Sequence, residues 1–403
     1  MTSNEILKIY GTDYKELTKT LLKASALSDV IEKKCQTNHL DRHLRIMIKP
    51  NLISCTPACF GATTHPEIVA GIIEYLRENG YDNLTIAEGS WVGDKTAEAF
   101  EYCGYNSLSQ TYGVPLIDAQ LEKSYTATAT ELPIHICNCV KNADFLINVP
   151  VMKGHCQTRI TCALKNMKGL IPNSEKRRFH TMGLHAPIAH LNANIKQDFI
   201  VIDHICGDPD YEEGGNPLVK DCIMTSLDPV LTDTYVCRLF NYTKNDVKYV
   251  RLASELKIGC GDIEKLVLKE VIPTGADPAA AAKDARSADL AYSIRSLSLT
   301  EDLIREQLPD THKVLRVSHM VDEIESCSAC YAELMGALSR LHDEGLLEDF
   351  SEKICIGQGN RGKTGKLGVG NCTRNFEHSV PGCPPDADTI YKDLKAFIKE
   401  SHQ

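Results

Sequence analysis

The sequence predicts an open, mostly parallel α/β sheet with helices on both faces, followed by a smaller C-terminal α/β domain. Strand-like apolar runs alternate with helix-periodic segments from about residue 44. Two of the runs, Asp144–Val151 and Phe199–Ile205, are apolar at consecutive positions, as in strands buried on both faces. A second strand–helix alternation begins after residue 320.

Leu44–Ile48 reads as the first of these strands. Pro66 then opens a helix whose Val69, Ile72, Ile73 and Leu76 share one face, and Gly80 closes it. Leu84–Ala87 is a second strand, and Thr96–Cys103 is a helix ending at Gly104. The alanine-rich stretch Gly275–Ala288 reads as a linker or an exposed helix. Beyond it, Cys330–Leu341 is helical, Ile354–Ile356 is a short strand, Gly357–Gly370 is a glycine-rich loop and Ala387–Lys399 is a final helix. The expected domains are therefore residues 1–262 and 321–403, joined by a connecting segment over 263–320.

With 43% hydrophobic and 24% charged residues over 403 positions, the chain has the composition of a soluble globular protein. The N-terminus shows no signal-peptide pattern, and no apolar run approaches the ~20 residues that span a bilayer. A formal charge of −10 argues against a general nucleic-acid binder. A cytoplasmic protein without membrane or nucleic-acid partners is expected. Its seventeen cysteines then imply a reducing compartment with some thiols on a metal, not a disulfide framework.

The strongest metal-site pattern is C-terminal. Cys327-Ser328-Ala329-Cys330 is a C-x-x-C at a helix start; 41 residues separate it from Cys372, and 10 more precede Cys383. Cys383 lies in Val380-Pro381-Gly382-Cys383-Pro384-Pro385, a stiff segment that fixes one thiol, with Pro384 or Pro385 suited to the first turn of the following helix. Four thiolates suit zinc or a 4Fe–4S cluster. The lack of a second C-x-x-C and the proline after the last cysteine point to the cluster. Cys355, between Ile354 and Ile356, reads as a packing residue. Gly357-Gln358-Gly359-Asn360-Arg361-Gly362 matches G-x-G-x-x-G, but no helix opens at its end, so it reads as a loop around the cluster.

This segment, Cys327-x-x-Cys330 with Leu334, Gly370-Asn371-Cys372 and the 380–385 run, resembles the proximal-cluster region of nickel–iron hydrogenase small subunits and the related complex I subunit. The resemblance covers about 60 residues. It implies a flavodoxin-like domain with Cys327, Cys330, Cys372 and Cys383 as ligands of one 4Fe–4S cluster.

Residues 151–180 carry seven Lys/Arg against one acid, in a chain that is acidic overall. Lys153 and His155 follow an apolar strand at the expected carboxyl edge of the sheet, where α/β proteins bind ligands. Two residues apart, they would face one pocket, with Lys165, Asn166 and Lys168 next to it and Gly169 allowing close backbone approach. From the residues alone, an anion pocket and a solvated basic face are equally supported; Lys176 and Arg177 read as loop residues. His180, His185 and His190 recur every five residues and also read as loop residues. Asp203 and Asp233 are candidate acid/base groups, cation ligands or helix caps.

The motifs "IKPNLIS", "THPEIV", "IAEGS", "DFLINVPVMKGH", "ALKNMKGLIP" and "DPVLTD" resemble the DUF362 family over about residues 45–260. That family is an α/β domain often joined to iron–sulfur modules. The lysine–histidine segment also has a likeness to the lactate racemase superfamily. The expected function is a redox enzyme or electron-transfer protein acting on a small anionic molecule or a redox partner protein. The alternatives are a non-redox isomerase or lyase using Lys/His proton chemistry, and a cluster or metal maturation protein.

Overall fold

The N-terminal hexapeptide Glu5–Tyr10 forms a strand in the interior of the main sheet, although Lys8 stands at its centre. The computed structural model describes residues 1–274, 292–306 and 313–401. Its strands are β1 (Glu5–Tyr10), β2 (Ile46–Pro50), β3 (Leu84–Glu88), β4 (Leu116–Asp118), β5 (Ser124–Ala127), β6 (Ile134–Cys137), β7 (Phe145–Val149), β8 (Lys153–His155) and β9 (Arg159–Thr161). They continue with β10 (Phe199–Gly207), β11 (Leu218–Ser226), β12 (Val267–Pro273), β13 (Tyr292–Leu297), β14 (Val321–Glu323), β15 (Ile354–Ile356), β16 (Leu367–Val369) and β17 (His378–Val380).

Nine of them make one sheet in the order β13-β12-β1-β11-β10-β7-β2-β3-β4. The run from β10 to β4 is parallel, as the apolar patterns predict. β7 and β10 are buried along their whole length, so both faces of the sheet centre are covered. Antiparallel β11 interrupts the parallel order, and β1 pairs with it on one side and with β12 on the other.

Pro66 occupies the first turn of the helix Pro66–Glu78, where its missing N–H costs nothing. Val69, Ile72, Ile73 and Leu76 are fully buried from that helix. Among the described residues no helix is long and apolar enough to cross a membrane.

The chain divides into two compact units. The first comprises Met1–Gly154, Ile160–Lys176 and His185–Leu308; the second comprises His155–Arg159, Arg177–Leu184 and Pro309–Gln403. The segment expected to connect two domains instead supplies β12, β13 and the helix Leu299–Glu306 to the first unit. Its alanine-rich part, Gly275–Ala288, lies outside the described residues. In the second unit, β14-β15-β16-β17 form a parallel sheet in chain order, without a strand-order reversal.

Lys8 tolerates its position because a complete set of acceptors surrounds it. Its fully buried ammonium donates to Asp302 (2.7 Å), Glu306 (2.7 Å) and the Tyr235 hydroxyl (3.0 Å). His204 approaches Glu306 at 3.1 Å from β10. Burial opposes the charged form of Glu306, yet His204 and Lys8 hold its carboxyl well below the usual carboxylate range. The helix Leu299–Glu306 is thereby pinned to β1 by charge.

Candidate functional site

Lys49 ends β2, Glu88 ends β3 and Lys153 follows β7, so three charged side chains meet at the carboxyl edge of the parallel strands. Lys49, fully buried, pairs with Glu88 and donates to the Pro50 carbonyl (2.7 Å) and Asn166 Oδ1 (3.3 Å). Lys153, also fully buried, has only neutral acceptors: Asn51 Oδ1 (3.3 Å), the Ala62 carbonyl and the Glu212 carbonyl (2.7 Å). Asn166 links the two groups. Its Oδ1 accepts from Asn51 (2.8 Å) and its amide donates to Asn148 (2.7 Å), which in turn donates to Gln197 (2.6 Å).

The expected Lys165 and Lys168 join this group, and so does Lys176, which is not the loop residue the sequence suggested. Lys176 is buried in the helix Asn173–Thr181 and donates to the Gly89 (2.9 Å) and Ser90 (2.6 Å) carbonyls. Lys168 is half-buried. Burial, reinforced by Lys165, lowers Lys153 to about 7. Burial lowers Lys176 to about 8, and burial with Lys165 and Lys176 pushes Lys168 well below its ordinary value. Among the described residues, none of Lys153, Lys168 and Lys176 has a carboxylate at ion-pairing distance. The backbone of Gly169 closes over the Lys49–Glu88 pair: a Cβ there would lie 2.0 Å from Glu88 Oε1 and 2.6 Å from Lys49 Nζ.

Asp233 is fully buried. From the helix Pro229–Leu239 it accepts the Ala163 (2.8 Å) and Leu164 (3.2 Å) amides, capping the short helix Ala163–Asn166 that carries Lys165 and Asn166. Asp203 has both oxygens engaged. Oδ2 accepts the backbone amide (2.8 Å) and Nδ1 (2.9 Å) of His65, and Oδ1 accepts the Ile205 amide (3.1 Å). Burial disfavours a charged His65, but the Asp203 carboxylate outweighs it and raises the imidazole to about 11. Cys206 Sγ lies 3.9 Å from His65 Nε2. Sequence reasoning missed Lys49, Glu88, His65 and Cys206, although "IKPN", "THPEIV" and "IAEGS" contain three of them.

His155, expected beside Lys153, falls in the second unit. Its Nδ1 accepts the Gln157 (3.0 Å) and Thr158 (3.2 Å) amides and closes a turn. His180 lies in the helix Asn173–Thr181, and His185 and His190 lie in His185–Asn194, so these three are helical and not loop residues. Five-residue spacing suits no single helix face, and the break at Gly183 (φ +72°) separates the two helices. A separate cavity of about 780 Å³ opens near Asn192, Lys196, Gln197, Asp228 and Lys257. It lies at the opposite edge of the sheet, and Asp228 is already committed to capping Val230 (2.8 Å) and Leu231 (2.9 Å).

In the second unit, Cys327 occupies the N-cap position of the helix Ser328–Asp343, without a side-chain capping bond, and Cys330 lies in its first turn. Burial pushes the Cys330 thiol up to about 12, and the neighbouring Cys327, Cys383 and Cys372 add to the rise, so all four thiols share one region. Backbone bonds set the loops. Gly359 donates to Ile324 (3.0 Å) ahead of Cys327, Asn371 to Gly382 (2.9 Å), and Gly370 to Val380 (2.8 Å). Gly357, at φ +110°, has no room for a Cβ, which would lie 2.1 Å from the Ile324 carbonyl. The G-x-G-x-x-G loop directs Gln358 Nε2 to Cys327 Sγ (3.6 Å) and the Arg361 guanidinium to Cys372. Pro384 and Pro385 precede the final helix, which opens at Ala387 and not on a proline; Asp386 accepts the Thr389 amide (2.9 Å). Cys355 is half-buried between fully buried Ile354 and Ile356, with Asp322 4.0 Å from its sulfur.

A thylakoid-associated protein of Synechocystis sp. is 26% identical over 136 residues, 34% of this chain and 42% of that protein, so the chain spans under half of that relative's length. The lactate racemase apoprotein from Thermoanaerobacterium thermosaccharolyticum superposes with a TM-score of 0.33 at 12% identity, over 49% of this chain and 50% of its own. A Thermotoga maritima protein gives 0.31 at 14%, over 61% and 60%. Likeness this slight transfers neither reaction nor ligand. Residues 46–238, which include the five lysines and the Asp203, His65 and Cys206 group, match the family described as domain of unknown function (DUF362).

Proposed function

We propose that this chain is an iron–sulfur enzyme acting on a small carboxylate- or phosphate-bearing substrate held in the lysine pocket of its first unit. The observation that carries the reading is the set of three desolvated ammonium groups, on Lys153, Lys168 and Lys176, that have no carboxylate partner among the described residues. Buried cations without a counter-charge are costly, and an arriving anion reduces that cost. Lys165, Lys168 and Lys176 bind the anion; Lys153, close to neutrality, is suited to take or give a proton at the bound molecule. A charge-assisted hydrogen bond contributes about 1.5–3 kcal/mol, so Lys168→Ala should weaken sulfate or oxalate binding roughly 10- to 150-fold by calorimetry. Arg177→Ala, at an exposed position, should have little effect. Equal small losses at both positions would remove the pocket from the argument.

The second unit supplies the cofactor site of the same proposal: Cys327, Cys330, Cys372 and Cys383 as ligands of one 4Fe–4S cluster. Zinc–sulfur bonds of about 2.3 Å would put four tetrahedral thiolates about 3.8 Å apart. Among the described residues, no three of these thiols lie within 4.8 Å of one another, a spread that suits a group larger than one ion. The cluster, when bound, supplies one-electron chemistry. Gln358 and Arg361 donate toward the ligand sulfurs, and the glycine-rich loop holds those donors in place. Anaerobically prepared protein should contain about four irons and four sulfides per chain; stoichiometric zinc without sulfide would overturn the assignment. The depressed Lys153 favours one other reading, a non-redox isomerase or lyase. A cluster midpoint that shifts when the anion binds supports the redox reading, and an unmoved midpoint supports the other.

A further inference from the structure

A β-bulge interrupts the pairing of β10 with β11 between His204 and Cys206. In a regular strand, residues 203 and 206 would point to opposite faces. The extra residue lies on β11, between Cys222 and Val219, where Asp221 has φ +49°; on β10 both Asp203 and Cys206 nonetheless reach the same imidazole. Asp203 Oδ2 stands 2.9 Å from His65 Nδ1, and Cys206 Sγ stands 3.9 Å from His65 Nε2. The thiol's other polar neighbour is the Ala58 carbonyl at 3.4 Å, which accepts the resting S–H. From the facing helix, Tyr14 packs edge-on against His65 with its ring 5.7 Å away, while its hydroxyl donates to Asp221 (2.7 Å). The bond to Asp203 fixes the ring and leaves Nε2 directed at the sulfur. Nucleophile, imidazolium and orienting carboxylate thus stand in the relation that favours a thiolate.

We propose that Cys206 is a nucleophile for an electrophilic carbon bearing a leaving group, with His65 as its proton partner and Asp203 as the positioning residue. In the step, Sγ bonds to the carbon and the bond to the leaving group breaks. The thiol proton is lost to solvent, the protonated His65 faces the resulting thiolate through Nε2–H, and that N–H gives its proton to the departing group where that group is basic. The raised proton affinity of His65, set by Asp203 against the cost of burial, agrees with this role. The inference does not rest on the lysine pocket or on the cluster.

The test is alkylation of the whole protein by iodoacetamide at pH 6, followed cysteine by cysteine by peptide mass mapping. Unassisted thiols have pKa near 8.5 and are almost wholly protonated at pH 6. Cys103 and Cys139 are the controls, because their exposures of 5% and 4% match the 4% of Cys206. Cys206 should be alkylated at least about tenfold faster than either control. His65→Gln should remove most of that advantage, and Asp203→Asn should reduce it while circular dichroism stays native. Alkylation of Cys206 no faster than the controls overturns the proposal in the wild type alone. An advantage that survives both His65→Gln and Asp203→Asn overturns it as well, since accessibility would then explain the rate. Should His65→Gln fail to fold, the wild-type comparison and Asp203→Asn still decide.

Discussion

Asp233 caps a helix that is not its own: its Oδ1 accepts the Ala163 amide at 2.8 Å, some seventy positions earlier in the chain. The helix so held carries Lys165 and Asn166, so Asp233 positions two residues of the proposed pocket. Asp233→Ala should destabilise the first unit by about 1–2 kcal/mol in urea titrations through the lost cap, and should weaken anion binding as Asn166 shifts. Burial raises this carboxyl to about 7. Between the unfolded value near 3.9 and that pH, the unfolded chain has lost a proton that the native state keeps, so stability falls as pH rises. Asp233→Asn should therefore gain on the wild type in melts between pH 4.5 and 7.5.

Lys153 and Lys176 make the opposite prediction. Their native values near 7 and 8 lie below the unfolded value near 10.4. The unfolded chain then binds more protons, and the unliganded protein should gain stability as pH rises from about 7 to 10. Sulfate keeps a constant charge over this range, so its affinity should fall as these lysines deprotonate. In Lys153→Met the part of that fall near pH 7 should vanish in the calorimetric profile.

Serine at Cys327, Cys330, Cys372 or Cys383 should lose or alter the proposed cluster, while Cys355→Ser, set against Asp322 and not against the other thiols, should keep it. Arg361→Ala removes a cation beside Cys372 and should lower the cluster's reduction potential in a spectroelectrochemical titration. An unchanged iron content in all four serine variants would sink the ligand assignment.

Lys8→Met leaves the Asp302 and Glu306 carboxylates buried without their ammonium. Breaking such a network typically costs about 3–5 kcal/mol, which should appear in the urea midpoint. Adding Asp302→Asn and Glu306→Gln to the same variant should recover much of the loss.

Four parallel strands and the helix Pro66–Glu78 were legible because their side chains are apolar at the right period, and burial agrees with the pattern. β1 was not: Lys8 makes Glu5–Tyr10 look like a surface segment, and its compensating carboxylates lie some three hundred residues away. β12 and β13 were obscured in the same way, by charged residues such as Glu270 and Arg295 that pair across the strands. In the site, local basic density disclosed Lys153, Lys165 and Lys168. Lys49 was hidden because a lone lysine inside a strand reads as an edge residue. Cys206 could not be placed, since strand alternation assigns it to the face opposite Asp203.

The interior position of β1 bears on how the chain is made. Its neighbours β11 and β12 arrive only with residues 218–226 and 267–273. At about 5–20 residues per second, the N-terminal strand waits roughly 13–55 s on the ribosome for its second partner. Until β11 emerges, Ile6, Leu7 and Ile9, all buried in the finished sheet, have no strand to pair with. Sheet closure is therefore a late, long-range event, and chains truncated before residue 267 should be clients of chaperones and not independent folders.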